Sequence, residues 1–271
     1  MEARFRFPPA QVKLVETQDM SDTKMKVKGF FIEPGANLAN ANLFKVDLRQ
    51  AELQRANLQQ AELSEAYMKW SNLSEADLRG ATLQSTDLRS AILRDCDLTA
   101  ADLMEALLLR ADMTGAQLVD AQLQWANLQY VDLNGANLQR ANLSRARLER
   151  SRINNANLEQ AVLFGANMIE VDLHESDLNE ANINAADLFW ANLKNAILFR
   201  VDLSSSRLRG ANMFGADLRQ ANLRWANLRG ANLEDADLRG ADLRDSIVTD
   251  EQLRRVRRLD RAILPNGDVV K

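Results

Sequence analysis

The side chains best suited to catalysis are scarce in this sequence of 271 residues, which has one His and one Cys. A Cys–His nucleophile pair needs the two side chains within hydrogen-bonding reach, and a structural zinc site needs several such ligands. His174 lies near the carboxylates of Asp172 and Glu175, whereas Cys96 replaces an Ala in the repeat described below. The glycines never form GxGxxG, a phosphate-binding loop. We therefore expect no catalytic residues, no cofactor and no metal site.

Charge and hydropathy exclude further classes of protein. The chain has 38 acidic and 34 Lys or Arg residues, so its net charge of −4 opposes a mainly electrostatic nucleic-acid binder. No run of 18 apolar residues occurs, so we expect no membrane-spanning helix. The first residues, MEARFRFPPAQ, lack the apolar stretch of a secretory signal. We expect a cytoplasmic protein.

A five-residue repeat runs without insertion from residue 36 to residue 245 and gives 42 units. Its third residue, the central position, is Leu in 36 units and Met or Ile in the other six. Its first residue, the small position, is Ala in 32 units and never larger than Val. All 51 charged residues of the repeat occupy the second, fourth and fifth positions. This partition predicts that the central and small residues point inward.

Neither regular secondary structure satisfies that partition. A helix would rotate by about 140° per unit, and a flat strand would alternate the Leu side chains between its two faces. A chain that turns once in every unit keeps all of them inside. The eight Gly of the repeat all occupy the fifth position, and the four Pro all lie outside the repeat. Gly is favoured where the backbone needs a tight corner, so we expect the corner near the fifth position.

The units ANLAN, ANLFK and ANLQQ resemble those of the pentapeptide-repeat family, whose motif is commonly written A(D/N)LXX. Asp or Asn precedes the central residue in 29 of the 42 units. The resemblance implies an all-β fold, a right-handed, four-sided parallel β-helix with four units in each coil. The 42 units then form 42/4 = 10.5 coils. At about 4.8 Å per coil the rod would be roughly 50 Å long.

The N-terminal residues do not follow the repeat and are expected to cap the rod, because a solenoid exposes two open ends. Residues 1–35 form this predicted cap. Apolar residues in segments 11–17 and 24–33 predict two strands of a β-hairpin, with a polar turn at residues 18–22.

The C-terminal cap is predicted to span residues 246–271. Thr249 and Gln252 have the spacing of a capping box, which marks the start of a helix. We expect this short helix to end near Leu259 and to be followed by a turn at residues 265–267, Pro-Asn-Gly.

Twenty residues per coil would sort the outward residues onto four faces. Faces one, two and four, defined by Leu38, Leu43 and Leu53 and every twentieth residue after each, carry more acidic than basic residues. Face three, defined by Leu48, has nine basic and five acidic residues, together with outward aromatic and aliphatic residues. Such residues are typical of protein-binding surfaces. The candidate partner-binding residues are Tyr67, Trp70, Leu107, Leu109, Tyr130, Arg147, Arg150, Ile169, Phe189, Trp190 and Arg207.

An alternative is that these side chains only stack on their neighbours along the rod. Face two also has outward aromatic residues, namely Phe44, Trp125, Phe164 and Trp225. Aromatic residues are therefore not confined to face three.

Three functions follow from this pattern. The leading hypothesis is a non-enzymatic scaffold that displays face three to an unknown protein partner, as a monomer or as an end-to-end dimer through a cap. The resemblance also implies an alternative, a DNA-mimicking inhibitor or protector of DNA gyrase or another topoisomerase, although Arg residues lie among the acids on every face. A nucleic-acid binder that uses face three is the third hypothesis.

The resemblance also implies a source, because long runs of pentapeptide repeats are especially abundant in cyanobacteria.

Overall fold

The computed structural model describes residues 25–271. It has two short strands, β1 (Met25–Val27) and β2 (Phe30–Ile32), and one short helix, α1 (Asp250–Arg254). Between these elements, isolated parallel bridges join residues twenty positions apart, from Asn37 paired with Asn57 to Asn227 paired with Ile247. Twenty residues are four units, so each coil contains four units and the second position of every unit forms the bridge.

In the unit from Ala141 to Arg145, every backbone N–H has a partner. The N–H of Asn142 donates to the preceding coil (2.9 Å), and those of Leu143 and Arg145 donate to the following coil (2.7 and 2.9 Å). The N–H of Ala141 closes a turn within the chain (2.9 Å). The N–H of Ser144 donates to Oδ1 of Asn142 (3.1 Å). The preference for Asp or Asn at the second position follows, because a short side-chain oxygen there satisfies a donor that the coils leave free.

The interior is a continuous column of central and small side chains. Leu138 has no exposed surface, and the central residues elsewhere in the repeat are equally buried. The Ser, Thr and Cys side chains at small positions donate hydrogen bonds to backbone carbonyl groups. For example, the hydroxyl of Thr86 donates to the carbonyl of Leu63 (2.9 Å). Such a hydrogen bond offsets the free-energy cost of burying a hydroxyl.

The fifth position has a positive φ in all 42 units, which comprise 34 non-glycine and eight glycine residues. This left-handed conformation costs roughly 1–2 kcal/mol for an ordinary L-residue, and it is worst for a β-branched side chain. None of the 34 non-glycine residues is Val, Ile or Thr, although these residues occur at the second and fourth positions. The corner was correctly predicted from the glycines, and the missing β-branched residues are its second signature.

The N-terminal hairpin differs from the sequence prediction. Residues 24–33 were predicted as one strand, but β1 and β2 both lie in this segment and pair antiparallel, with Val27 opposite Phe30. Lys28 (φ 47°) and Gly29 (φ 88°) supply the two positive φ angles that a two-residue hairpin turn requires. Ile32 is buried against the first coil. The strand predicted at 11–17 and the turn predicted at 18–22 lie outside the described residues.

The C-terminal helix starts as predicted but ends earlier. Thr249 and Gln252 form the expected capping box. The helix ends at Arg254, and not near Leu259, because the N–H of Arg257 donates to the carbonyl of Ala236 in the last coil (2.8 Å). The chain beyond α1 therefore returns to coil geometry.

The last residues close the rod. Asp237 pairs with Arg258 and Asp242 pairs with Ile263, at a spacing of 21 residues, so the helical segment adds one residue to this coil. The turn predicted at residues 265–267 is present, with the N–H of Gly267 donating to the carbonyl of Leu264 (2.9 Å).

Candidate partner-binding face

Face three places its outward side chains in straight rows, because the coils repeat every twenty residues. At the second position, parallel bridges connect Asp47, Tyr67 and Asp87 in succession and continue to Asn227. Trp70, which follows at a fifth position, lies at the corner where the chain leaves this face. Side chains that are twenty residues apart in sequence are therefore neighbours in space.

Eight of the eleven predicted residues are exposed, and three are half-buried. Trp190 is 61% exposed, Trp70 51% and Tyr130 44%, which are large values for aromatic residues. Along one corner of the rod, Trp70, Tyr130 and Trp190 follow one another at intervals of three coils, or about 14 Å. The half-buried residues are Leu109, Ile169 and Phe189. The exposed ones also include Tyr67, Leu107, Arg147, Arg150 and Arg207.

The three predicted arginines are all neutralised by carboxylates. Arg207 pairs with Asp187 (2.8 Å), and Arg147 lies 3.6 Å from Glu149. Arg150 donates to Glu170 (2.9 Å) and to the hydroxyl of Tyr130. These hydrogen bonds raise the pKa of the Arg150 guanidinium above its ordinary value.

The same holds for the first coils of the face. Arg49 pairs with Asp47, and Arg89 pairs with Asp87, each in a two-pronged contact between neighbouring second and fourth positions. Hydrogen bonds from Arg49 hold the pKa of Asp47 below its usual value. All five carboxylates of face three are thus engaged, and five of its nine basic side chains are neutralised.

The net positive charge of face three therefore belongs to four other residues, Lys69, Arg110, Arg209 and Arg229. None of them has an ion pair among residues 25–271. All four are basic residues of face three, but none of them is among the eleven predicted partner-binding residues. A search for an opposite charge two or twenty positions away separates Lys69, Arg209 and Arg229 from the neutralised arginines. It does not separate Arg110, because Asp112 lies two positions after it and pairs with Arg94 instead (2.6 Å).

Three of these free cations lie on aromatic rings. The amino group of Lys69 is 3.8 Å from the ring centroid of Trp70. The guanidinium of Arg110 lies 5.8 Å from the ring of Tyr130, and that of Arg209 lies 5.9 Å from the ring of Phe189. Cation–aromatic contacts at exposed sites contribute about 0.5–1 kcal/mol each. Face three thus presents cations held in place by rings and not by counter-charges.

Trp190 has the most distinctive surroundings. Its ring contacts Phe189 edge to face, with centroids 5.8 Å apart and an interplanar angle of 85°. It also covers Gly210 in the next coil, where an added Cβ would lie 3.1 Å from the ring. Stacking along the rod therefore does occur, as the alternative hypothesis predicted, yet most of the Trp190 side chain remains exposed.

No catalytic arrangement is found among residues 25–271. Nδ1 of His174 lies 2.7 Å from Oδ1 of Asp172, and both side chains lie partly exposed on face four. Burial raises the pKa of the Cys96 thiol, which therefore stays protonated. In this part of the chain no group of His, Cys, Asp or Glu residues is arranged to hold a metal ion. No helix there has the length and apolar character needed to cross a membrane.

Comparison with known proteins places this geometry in a family. The sequence profile described as pentapeptide repeats matches overlapping segments that together span residues 34–245. The structure is similar to that of HetL from the cyanobacterium Nostoc sp. strain PCC 7120, a pentapeptide repeat protein involved in heterocyst differentiation regulation. The two share 37% identity over 83% of this chain and 92% of HetL, with a TM-score of 0.59.

Two further solved structures match with lower TM-scores. A trypsin-treated variant of QnrB1, a plasmid-mediated fluoroquinolone resistance protein, is 18% identical over 67% of this chain and 90% of its own, with a TM-score of 0.44. Rfr23 from the cyanobacterium Cyanothece 51142 is 37% identical over 37% of this chain and 58% of its own, with a TM-score of 0.19. No curated protein sequence matches the chain.

Proposed function

Because the chain belongs to the pentapeptide-repeat family, we propose that it is a non-enzymatic rod that displays face three to a protein partner. Proteins of this family are right-handed quadrilateral β-helices, and we assign the same handedness to this rod. The observation that supports a binding role is the row of free cations on exposed rings, Lys69 with Trp70 and Arg110 with Tyr130.

Such pairs suit an interface for two reasons. The aromatic residues Trp70, Tyr130 and Trp190 offer large areas that gain free energy when a partner covers them. Lys69 and Arg110 carry no bound counter-charge that a partner would have to displace. Binding hot spots are enriched in Trp, Tyr and Arg.

We propose that the partner is a protein with carboxylates and apolar side chains on its contact surface. The acidic groups would meet the four free cations, and the apolar groups would cover the rings. Because the central and small side chains of the rod are buried and closely packed, such a partner would bind a surface that already has its final shape.

The test is affinity capture from the native host with three purified proteins as baits. These are the wild type, the face-three variant Trp190→Ala/Arg209→Glu and the face-two variant Trp225→Ala/Arg224→Glu. The face-two variant is a matched control, because Arg224 stacks on Trp225 (4.3 Å) and the charge change is identical. We expect a captured protein that is lost only with the face-three variant. Equal capture by all three baits would contradict the proposal.

The alternative function, a DNA-mimicking inhibitor or protector of DNA gyrase, has less support from the surface charges. On face one, ion pairs of 2.6 Å neutralise three of the carboxylates, each with an Arg two residues further along the chain. These carboxylates belong to Asp77, Asp217 and Asp237. A DNA mimic needs a continuous stripe of negative charge. A gyrase supercoiling assay with micromolar protein would test this alternative, and we expect no effect.

We also propose that the rod is a monomer and not an end-to-end dimer. Val27 and Phe30 pack against the core at one end, and Leu253, Val256 and Leu259 do so at the other. Both ends of the stacked core are thus covered by the chain itself, as isolated solenoid edges require. Light scattering at increasing concentration would measure the mass.

A further inference from the structure

A second charged surface lies at the C-terminal end of face one, far along the rod from Trp70. A groove of about 580 Å³ opens there between the last coils and the C-terminal cap. Five of its lining residues are cationic: Arg219, Arg239, Arg258, Arg261 and Lys271. We call it the C-terminal groove.

The groove reverses the charge of the face on which it lies. Between residues 36 and 198, the outward positions of face one carry six acidic and two basic residues. From residue 199 onward the same face carries three acidic and five basic residues, and Lys271 adds a sixth base. The cap supplies half of these bases, so sorting the repeat alone by twenty residues could not reveal the groove.

Three of the cations are held by carboxylates that lie beside them. Arg258, for example, donates to Asp260 (3.1 Å). The other two pairs, Arg219 with Asp217 and Arg239 with Asp237, are two-pronged. These contacts fix the guanidinium groups in space but cancel most of their charge.

Arg261 and Lys271 are different. Both side chains are exposed, and neither has an ion pair within residues 25–271. Arg261 lies at a corner of the coil, with φ 60°, and its backbone N–H donates to Val270 (2.9 Å). This backbone hydrogen bond joins the segment that carries Arg261 to the C-terminal segment that carries Lys271.

The groove also has an aromatic wall. The ring of Phe199 is half-buried between the guanidinium groups of Arg200 (4.8 Å) and Arg219 (5.5 Å). A ligand that reaches the free cations would therefore meet an apolar surface as well.

We propose that the C-terminal groove binds an acidic segment of a partner protein, independently of face three. Guanidinium groups recognise carboxylates by paired hydrogen bonds, and Arg261 is free to form them. A nucleic acid fits less well, since Asp217, Asp237 and Asp260 recur along the groove and would repel a continuous phosphate backbone. A peptide can place its carboxylates between them.

The test is fluorescence anisotropy with a fluorescein-labelled peptide of six Glu residues, at an ionic strength of about 0.15 M, where charges more than about 8 Å from the peptide are screened. The groove variant is Arg261→Glu/Lys271→Glu. The matched control is Arg254→Glu/Arg257→Glu, which changes the net charge equally on the same cap but outside the groove lining. We expect the groove variant to bind the peptide about tenfold more weakly, which corresponds to the loss of roughly 1.4 kcal/mol. The control should bind within about twofold of the wild type, because screened charges outside the site contribute little.

Equal weakening by both variants would overturn the proposal, since net charge alone would then explain binding. Tighter binding of a six-nucleotide oligothymidylate than of the peptide, with the same dependence on Arg261 and Lys271, would also overturn it in favour of nucleic acid. Thermal unfolding of each variant confirms that the rod is intact. Loss of a face-three partner would not affect this result, because Trp190 and Arg209 are unchanged.

Discussion

The inward and outward positions of each unit obey different rules. Inside, the central and small positions hold a narrow set of side chains, and no charged residue enters either position. Outside, nearly every residue type occurs, although the backbone geometry is the same in every coil. The interior therefore determines the rod, and the exterior is free to determine what the rod binds. Substitutions at adjacent residues can test this separation, because neighbouring side chains point in opposite directions.

The largest effect is expected inside the rod at Leu138, which has no exposed surface. Leu138→Arg buries a charge without a partner, so we expect it to lower the free energy of unfolding by at least about 4 kcal/mol or to prevent folding. The adjacent outward substitution Gln139→Arg should change it by less than about 0.5 kcal/mol. Chemical denaturation measures both. Similar losses for the two variants would show that inside and outside are not separable.

A smaller effect is expected at the corner. Ala100 has a φ of 55°, so Ala100→Val places a β-branched side chain in the left-handed region. We expect a loss of about 1–2 kcal/mol in the free energy of unfolding. The control is Thr99→Val at the preceding position, which should cost less than about 0.5 kcal/mol. If Ala100→Val were as stable as the wild type, the absence of Val, Ile and Thr from the corner would need another cause.

The smallest effect concerns the ion pairs of the outer surface and appears as a pH dependence. Hydrogen bonds from Arg79, and a further one from Gln59, lower the pKa of Asp77 to about 2. A lowered pKa in the folded state adds stability above the unfolded pKa of about 3.9, and this stability is lost as the pH falls through the folded pKa of about 2. We therefore expect Asp77→Asn to be less stable than the wild type at pH 7 and to reach the stability of the wild type only below about pH 2. Urea titrations across this range measure the difference, and a constant difference would refute the assignment.

The repeat was predictable because each of its rules is local and recurs 42 times. The partition of charge identified the inward positions, and the glycines identified the corner. The number of units per coil came only from the family resemblance, since no single unit specifies how many of them close a turn. The bridges at twenty-residue spacing agree with it.

The caps were less predictable because tertiary contacts decide their limits. The capping box of Thr249 predicted where α1 begins. The end of α1 is instead decided by a backbone hydrogen bond from the N–H of Arg257 to the last coil. In the candidate site, composition identified face three, but it selected Arg147 and Arg207, whose charges are cancelled by neighbouring carboxylates. The free cations required knowledge of which side chains meet across coils.

The most direct test of this separation combines stability and affinity in one set of proteins. The partner captured with the wild type would be purified and titrated by calorimetry against the wild type, Trp190→Ala/Arg209→Glu and Trp225→Ala/Arg224→Glu. Because all four substituted positions point outward, we expect the three proteins to unfold within about 3 °C of one another. We further expect the face-three variant to bind at least about tenfold more weakly than the wild type, and the face-two variant within about twofold. Equal affinities, or an affinity loss that accompanies a loss of stability, would contradict the account.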